Sequence, residues 1–231
     1  MFQNIQNRKI KFSIKWVLLF QAILFIVGII LDNFKGLNRF TAVSISFIFL
    51  LTGFYICGKK KNSYSIFVSK AMLFCFTGDM LMAKIIPGGS IIGMVSFAIA
   101  HILLIVGYIK TIHENKGKVI NSGLLIATLV YYLYFLFLWN MFLRYTHNVQ
   151  MFSSVSLIYG LLIATMASIA VSLYINHKKY IKTAIGAFLF LLSDSLIAVT
   201  QTTTVPHSAI IIWVTYIFAL YGIMYSNNSD L

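Results

Sequence analysis

Long runs of apolar residues, separated by short polar breaks, fill most of this sequence. A run of about 20 apolar residues is long enough to cross the hydrocarbon core of a bilayer as a helix. The sequence therefore predicts an all-α polytopic membrane protein, in which residues 1–231 form a single domain, a bundle of eight transmembrane helices. The predicted spans are about 14–31, 41–57, 63–84, 89–110, 119–141, 149–176, 181–200 and 208–226.

The composition excludes several other classes of protein. Of the 231 residues, 60% are hydrophobic and only 10% are charged, whereas a soluble domain has about 25% charged residues. These values exclude a soluble globule, a disordered chain and a nucleic-acid-binding protein. Eight spans leave only short loops and tails, so any chemistry must take place within the bundle or at its mouths.

The 18 basic residues are distributed unevenly between the two sides of the predicted bundle. The N-terminal tail and the loops on its side carry 13 of them, and Lys70 lies within a span. The opposite side carries Lys35, Arg39, Lys84 and Arg144. By the positive-inside rule, we expect both termini to be cytoplasmic. We expect the basic loops to contact anionic membrane lipids. The Lys, Asn, Ile and Phe bias is typical of an AT-rich bacterial genome, so the predicted location is a bacterial cell membrane.

Two of the five acidic residues lie within predicted spans. Asp79 is in the third span and Asp194 in the seventh, whereas Asp32, Glu114 and Asp230 lie in loops or in the tail. An ionisable residue at the centre of a membrane helix costs at least about 2.5–3.5 kcal/mol and is by default a functional candidate. The alternative is that each aspartate only forms hydrogen bonds between helices as part of the packing.

The two aspartates lie in matching contexts. Residues 78–83 and 193–198 share the pattern small-Asp-x-Leu-x-Ala, and Gly107 and Gly222 each follow their aspartate at the same sequence interval. Spans 3 and 7 cross in the same direction, so the pattern predicts a weak 4+4 parallel repeat. Asp79 lies ~24 Å and Asp194 ~20 Å from the start of its span, at 1.5 Å per residue. At similar depths the two carboxyl groups could face one another.

Three further residues within spans have side chains that could take part in a site. His101 follows Asp79 at the same sequence interval at which Tyr216 follows Asp194. Lys70 is two turns into the third span, where a lysine commonly extends to the headgroups, and its spacing from Asp79 puts it on the opposite side of that helix. A zinc site needs three or four converging ligands, and no HxxxH or HExxH spacing occurs, so we predict no metal and no other cofactor.

Several short motifs over roughly residues 70–225 resemble the YhhN-like lysoplasmalogenase family. The family's first signature is similar to Thr77-Gly78-Asp79-Met80-Leu81 with Gly93, Phe97 and His101. Its Tyr/Met span is similar to Tyr159-Gly160 with Met166. Its second signature resembles Gly186-Ala187-Phe188-Leu189-Phe190 with Ser193-Asp194-Ser195, Ala198 and Tyr216. Eight spans also fit the family.

The resemblance implies a hydrolase that cleaves the vinyl-ether bond of lysoplasmalogens, which are lysophospholipids, with water as the second substrate. The products are a fatty aldehyde and glycerophosphoethanolamine or glycerophosphocholine. Asp79, Asp194 and His101 are then the candidate catalytic residues. The candidate substrate-binding or orienting residues are Tyr216, Ser193, Tyr159 and Lys70. Two adjacent carboxyl groups in a buried site suit this chemistry, because one can hold a proton while the other is ionised.

Other functions remain open from the sequence alone. A proton- or sodium-coupled transporter could use the Asp79/Asp194 pair, and it would show broken helices in the two halves. A metal-dependent intramembrane lipid hydrolase would be silenced by chelators. A scaffold or sensor without chemistry would lose only stability when an aspartate is replaced by asparagine.

Overall fold

The computed structural model describes residues 2–143, 150–200 and 202–226, and gives side-chain detail for 16–142, 153–200 and 202–226. Arg144, Asp230 and the predicted start of the sixth span at residue 149 lie outside the described residues. Within the described part of the chain there are eight α-helices and no strands. The helices are α1 (Phe2–Leu31), α2 (Arg39–Lys60), α3 (Ser63–Met82), α4 (Gly89–Glu114), α5 (Ser122–Leu138), α6 (Gln150–Asn176), α7 (Ile181–Thr200) and α8 (Ser208–Tyr225).

Seven of these helices, α2 to α8, are long and apolar enough to cross a membrane. The chain is therefore an integral membrane protein, and seven of the predicted spans are confirmed. The described apolar part of α1, Trp16–Leu31, is shorter, so the eighth span stays a prediction. The bounds of the fifth span differ from expectation: α5 begins at Ser122 instead of 119 and continues as a π-helical turn, Trp139–Leu143.

Asparagine side chains fix the starts of three helices. The side-chain oxygen of Asn38 accepts a hydrogen bond from the Phe40 N–H at the start of α2. Asn62 and Asn121 cap α3 and α5 in the same way. Each cap satisfies a backbone donor that has no partner within its helix. Asn121 adopts an extended conformation, which explains why α5 begins three residues later than its apolar run.

The outer surface of the bundle is apolar, as a lipid-facing surface must be. On α5, Leu125, Leu129 and Leu133 follow one another at four-residue intervals and are 63%, 62% and 59% exposed. A stripe of this kind would promote aggregation in water but is stable against acyl chains.

The most extensive helix contacts are those of α3 with α4 and of α7 with α8. Small residues allow the second pair to approach closely, since a Cβ atom on Gly186 would lie 2.7 Å from the Ala219 carbonyl oxygen. Tyr64, near the start of α3, is buried and donates a 2.5 Å hydrogen bond to the Ile223 carbonyl oxygen on α8. The two pairs are therefore tied together around one core, and the candidate site lies near the opposite ends of α3 and α7.

Candidate active site

Asp79 and Asp194 lie on the wall of one cavity of about 240 Å³. Asp79 is three residues before the end of α3, and Asp194 is six residues before the end of α7. The cavity lies where α2 and α8 begin, and we call this the carboxylate end of the bundle. The structure thus brings together two residues that belong to different halves of the sequence.

Asp79 is held by hydroxyl groups from two other helices. The Ser46 hydroxyl on α2 donates a 2.5 Å hydrogen bond to Asp79 Oδ2, and the Tyr216 hydroxyl on α8 donates a 2.8 Å hydrogen bond to the same oxygen. Asp79 is only 5% exposed. Because both donors use Oδ2, neither occupies Oδ1.

Asp194 is held by a chain of two polar side chains. The Tyr159 hydroxyl on α6 donates a hydrogen bond to Asp194 Oδ2, and His101 Nε2 on α4 lies 3.1 Å from the same hydroxyl. With the tyrosine proton donated to the carboxylate, the chain is complete in the histidine tautomer that carries a proton on Nε2 and donates it to the tyrosine oxygen. His101 Nε2 is also 3.6 Å from Asp194 Oδ2, so the histidine lies directly beside the carboxylate.

The His101 ring is held in a dry environment. It is fully buried, and it packs edge-on against Phe190 with ring centres 4.7 Å apart. Its second nitrogen, Nδ1, has no hydrogen-bond partner among the described residues. Burial and ring packing fix the orientation of the imidazole toward Tyr159 and Asp194.

The contacts cross between the two halves of the chain. His101 and Tyr216 each follow an aspartate at the same interval, but His101 lies beside Asp194 and Tyr216 bonds to Asp79. Each half therefore supplies one carboxyl group and one residue that contacts the carboxyl group of the other half.

The small residues before the aspartates bring neighbouring helices together. The Ser193 hydroxyl donates a 3.1 Å hydrogen bond to the Ile212 carbonyl oxygen and ties α7 to α8. Gly78 occupies the corresponding place on α3, where a Cβ atom would lie 2.7 Å from the Phe97 ring on α4. Ser193 also lines the cavity, so it combines a packing role with a position at the site.

A second, smaller pocket of about 50 Å³ is lined by Asp194 and Tyr159. Its wall is formed mainly by apolar side chains of α3 to α7, including Met82, Met94, Phe135, Ile163, Ile197 and Ala198. Met82, Phe97, Asp194 and Ile197 belong to the walls of both cavities. The two cavities are therefore adjacent, and an apolar pocket lies next to the cavity of the carboxyl groups.

Lys70 is not brought to the carboxyl groups. Its side chain is exposed and its ammonium group lies 5.6 Å from the centre of the Phe67 ring, which Lys110 also contacts at 5.0 Å. No contact links Lys70 to the described residues around Asp79, so its predicted part in substrate binding stays a prediction. Among the residues with described side chains, no group of three or more His, Cys, Asp or Glu residues is placed to hold a metal ion.

Ser46 is a site residue that the sequence analysis missed. Its span also contains Ser44, which is exposed and bonds to the Phe40 carbonyl oxygen of its own helix. Serines that bond to another helix and serines that bond within their own helix are both common in membrane helices. The signal that separates Ser46 from Ser44 is burial against α3, which the sequence alone does not give.

The sequence matches the family model of the YhhN family over residues 39–227, from the first residue of α2 to just beyond α8. No curated protein and no solved structure matches the chain.

Proposed function

We propose that this chain, which belongs to the YhhN family, is an intramembrane lysoplasmalogenase. It hydrolyses the vinyl-ether bond of a lysoplasmalogen to a fatty aldehyde and glycerophosphoethanolamine or glycerophosphocholine. The observation that carries the proposal is the pair of carboxyl groups, Asp79 and Asp194, on the wall of one cavity. Each is held in place by hydroxyl groups from helices other than its own.

Hydrolysis of a vinyl ether needs an acid and a base close together. The acid transfers a proton to the carbon of the double bond that is not bonded to oxygen. The other carbon of the double bond and the ether oxygen then share a positive charge as an oxocarbenium ion. A nearby carboxylate stabilises this cation and removes a proton from the attacking water. The resulting hemiacetal breaks into the aldehyde and the glycerol hydroxyl, so that one water molecule is consumed. Asp79 and Asp194 divide these roles between them.

His101 and the two tyrosines act as positioning residues in this proposal. Tyr159 and His101 orient Asp194, and Tyr216 with Ser46 orients Asp79. Because all four donors come from packed helices, the carboxyl groups are held before the substrate arrives. Electrostatic stabilisation of this kind is effective only when the groups need no rearrangement during the reaction.

A lipid substrate fits the two adjoining cavities. The smaller pocket beside Asp194, with the apolar side chains of Met94, Phe135 and Ile163 on its wall, is suited to a hydrocarbon chain. The larger cavity at the carboxylate end is more polar and is suited to the glycerol and its headgroup. The vinyl-ether bond, which joins chain to glycerol, would then lie at the shared wall beside Asp194.

We also propose that the bundle is a 4+4 parallel repeat in which Asp79 and Asp194 occupy corresponding positions. Two pairs of corresponding contacts support it. A Cβ atom on Gly107 would lie 2.6 Å from Phe67, and one on Gly222 would lie 2.6 Å from Lys182. The contacts of Gly78 with Phe97 and of Ser193 with Ile212 correspond in the same way. The excess of basic residues on the N-terminal side supports cytoplasmic termini in a bacterial cell membrane.

The course of the helices favours hydrolysis over coupled transport. Transporters with paired intramembrane acids bind their ions at interrupted helices in the two halves. In this chain α3 and α7 continue without a break through Asp79 and Asp194. The carboxyl groups therefore lie on continuous, packed helices, which suits a rigid catalytic site.

The test uses purified protein in detergent and two lysolipids that differ only in a vinyl-ether or a saturated alkyl-ether bond. We expect fatty aldehyde from the vinyl ether alone, in the presence and absence of a chelator. In deuterated water, aldehyde trapped as it forms should carry one deuterium on the carbon next to the carbonyl, because that carbon is protonated.

Three results would contradict the proposal in different ways. No aldehyde from folded protein would reject the activity and make proton-coupled uptake the next experiment. Aldehyde that forms only without chelator would replace the carboxyl mechanism with a metal-dependent one. Aldehyde that lacks deuterium would show that the bond breaks by another route.

A further inference from the structure

Arg39 is the one cationic residue among the described side chains that line the larger cavity. It is the first residue of α2 and is exposed. Ser46, whose hydroxyl bonds to Asp79, follows it by seven residues on the same helix, which is ~10 Å along the helix axis at 1.5 Å per residue. The cavity therefore has a positive charge at its mouth and two carboxyl groups deeper inside.

The guanidinium group of Arg39 is not engaged by an acidic partner in the described part of the chain. The acid–base contact found there is the 3.6 Å approach of His101 Nε2 to Asp194 Oδ2, which is an ion pair only when the histidine is protonated. Arg39 instead lies with its guanidinium carbon 5.0 Å from the centre of the adjacent Phe40 ring. Ring contact leaves the N–H donors at the edge of the guanidinium plane free for an anion.

We propose that Arg39 binds the phosphodiester group of the lysolipid and so orients the substrate in the cavity. This inference rests on the proposed function. A guanidinium group pairs with phosphate through two parallel hydrogen bonds. A phosphate is also repelled by carboxylates, so the charge pattern of this cavity places the headgroup outward and the chain inward.

The order of the groups that line the cavity fits such a substrate. In a lysoplasmalogen, the phosphate and the vinyl-ether oxygen are separated by the three carbons of glycerol. With the phosphate at Arg39 and the chain in the pocket beyond Asp194, the glycerol lies in the cavity between them. Trp213, on the same wall, adds an amphipathic ring of the kind that favours the headgroup level of a bilayer.

The experiment measures binding and hydrolysis separately in the full-length protein. The binding probes are an alkyl-ether lysophosphatidylcholine, which has no vinyl bond to cleave, the corresponding alkylglycerol without phosphate, and chain-free glycerophosphocholine. The variants are Arg39→Gln and Arg39→Lys. The matched control is Lys35→Gln, because Lys35 is an exposed cation on the preceding loop that does not line the cavity.

We expect Arg39→Gln to weaken binding of the lysophosphatidylcholine about fivefold to tenfold and to leave binding of the alkylglycerol unchanged. Arg39→Lys should weaken binding of the lysophosphatidylcholine by a smaller factor than Arg39→Gln, because lysine keeps the charge but cannot form the two parallel hydrogen bonds. Lys35→Gln should behave as wild type, and glycerophosphocholine should bind far more weakly than the lysolipid. With the vinyl-ether substrate, Arg39→Gln should raise KM and leave kcat nearly unchanged, because the phosphate does not react.

Several outcomes would overturn the inference. They are equal weakening of both lipids by Arg39→Gln, no weakening of either, or equal effects of Arg39→Gln and Lys35→Gln. Tight, Arg39-dependent binding of glycerophosphocholine would instead identify a site for free phosphate esters. If wild-type protein binds the lysolipid through Arg39 but forms no aldehyde from the vinyl ether, this inference holds and the proposed function fails.

Discussion

Tyr159→Phe removes the hydroxyl group that joins His101 to Asp194. The variant keeps the aromatic ring and loses one oxygen, so the packing of α6 is preserved. The lost hydrogen bond is to a carboxylate, and bonds of that kind contribute about 1.5–3 kcal/mol. The change also leaves the fully buried His101 Nε2 without its 3.1 Å partner, which costs about 1–3 kcal/mol more.

The two losses are not fully additive, because His101 Nε2 already lies 3.6 Å from Asp194 Oδ2 and a small movement would let it bond there directly. We therefore expect the free energy of unfolding of Tyr159→Phe to fall by about 2–4 kcal/mol. If the lost bond stabilises the catalytic carboxylate in the transition state, the same loss of about 1.5–3 kcal/mol lowers the hydrolysis rate about 10-fold to 150-fold.

Tyr132→Phe is the matched control. The Tyr132 hydroxyl lies 2.7 Å from the Thr165 hydroxyl and also joins two helices, α5 and α6, but neither residue lines either cavity. A neutral hydrogen bond contributes about 0.5–1.5 kcal/mol, so this variant should lose that much stability and keep its activity. The assays are unfolding by SDS in mixed micelles and aldehyde release. Equal effects of the two variants on both measurements would refute the proposed His101–Tyr159–Asp194 chain.

Three further predictions concern packing and the partners of Asp79. Gly186→Ala forces a methyl group against the backbone of α8 and should lower the free energy of unfolding in mixed micelles by about 1–3 kcal/mol. In the control Gly58→Ala the new methyl group meets no atom within 4 Å, so the free energy of unfolding should change by less than about 1 kcal/mol. Ser46→Ala should slow aldehyde release about tenfold, whereas Ser44→Ala, whose hydroxyl bonds within α2, should not. Tyr216→Phe should slow release about tenfold without abolishing it, because the Ser46 donor remains.

The two aspartates were predictable from the sequence because an ionisable residue stands out against an apolar span. Their similar depth followed from counting residues along two helices that cross in the same direction. The crossing of the contacts was not predictable: His101 follows Asp79 in the sequence but lies beside Asp194. Sequence distance gives the position of a residue on its own helix, whereas the neighbour across the bundle depends on how all the helices pack.

Residues of ordinary type were the hardest to predict. Ser46 resembles any small polar residue of a membrane helix, and it became visible as a site residue only through its contact with Asp79. Arg39 contributes only to the charge balance in the sequence, but it lines the cavity. Lys70 shows the reverse, since an unusual residue within a span lies on the exposed surface beside Phe67. The start of α5 lies three residues later than the apolar pattern predicts, because Asn121 caps the helix there.

The central claim is that Asp79 and Asp194 together hydrolyse a vinyl ether. The most direct measurement is aldehyde release from a vinyl-ether lysolipid by Asp79→Asn and by Asp194→Asn, each shown to be folded by its unfolding transition in mixed micelles and by binding of the alkyl-ether analogue. Each variant should release aldehyde at least about a hundredfold more slowly than wild type, because acid–base catalysis contributes that much or more. Near-wild-type release by either folded variant would contradict the account.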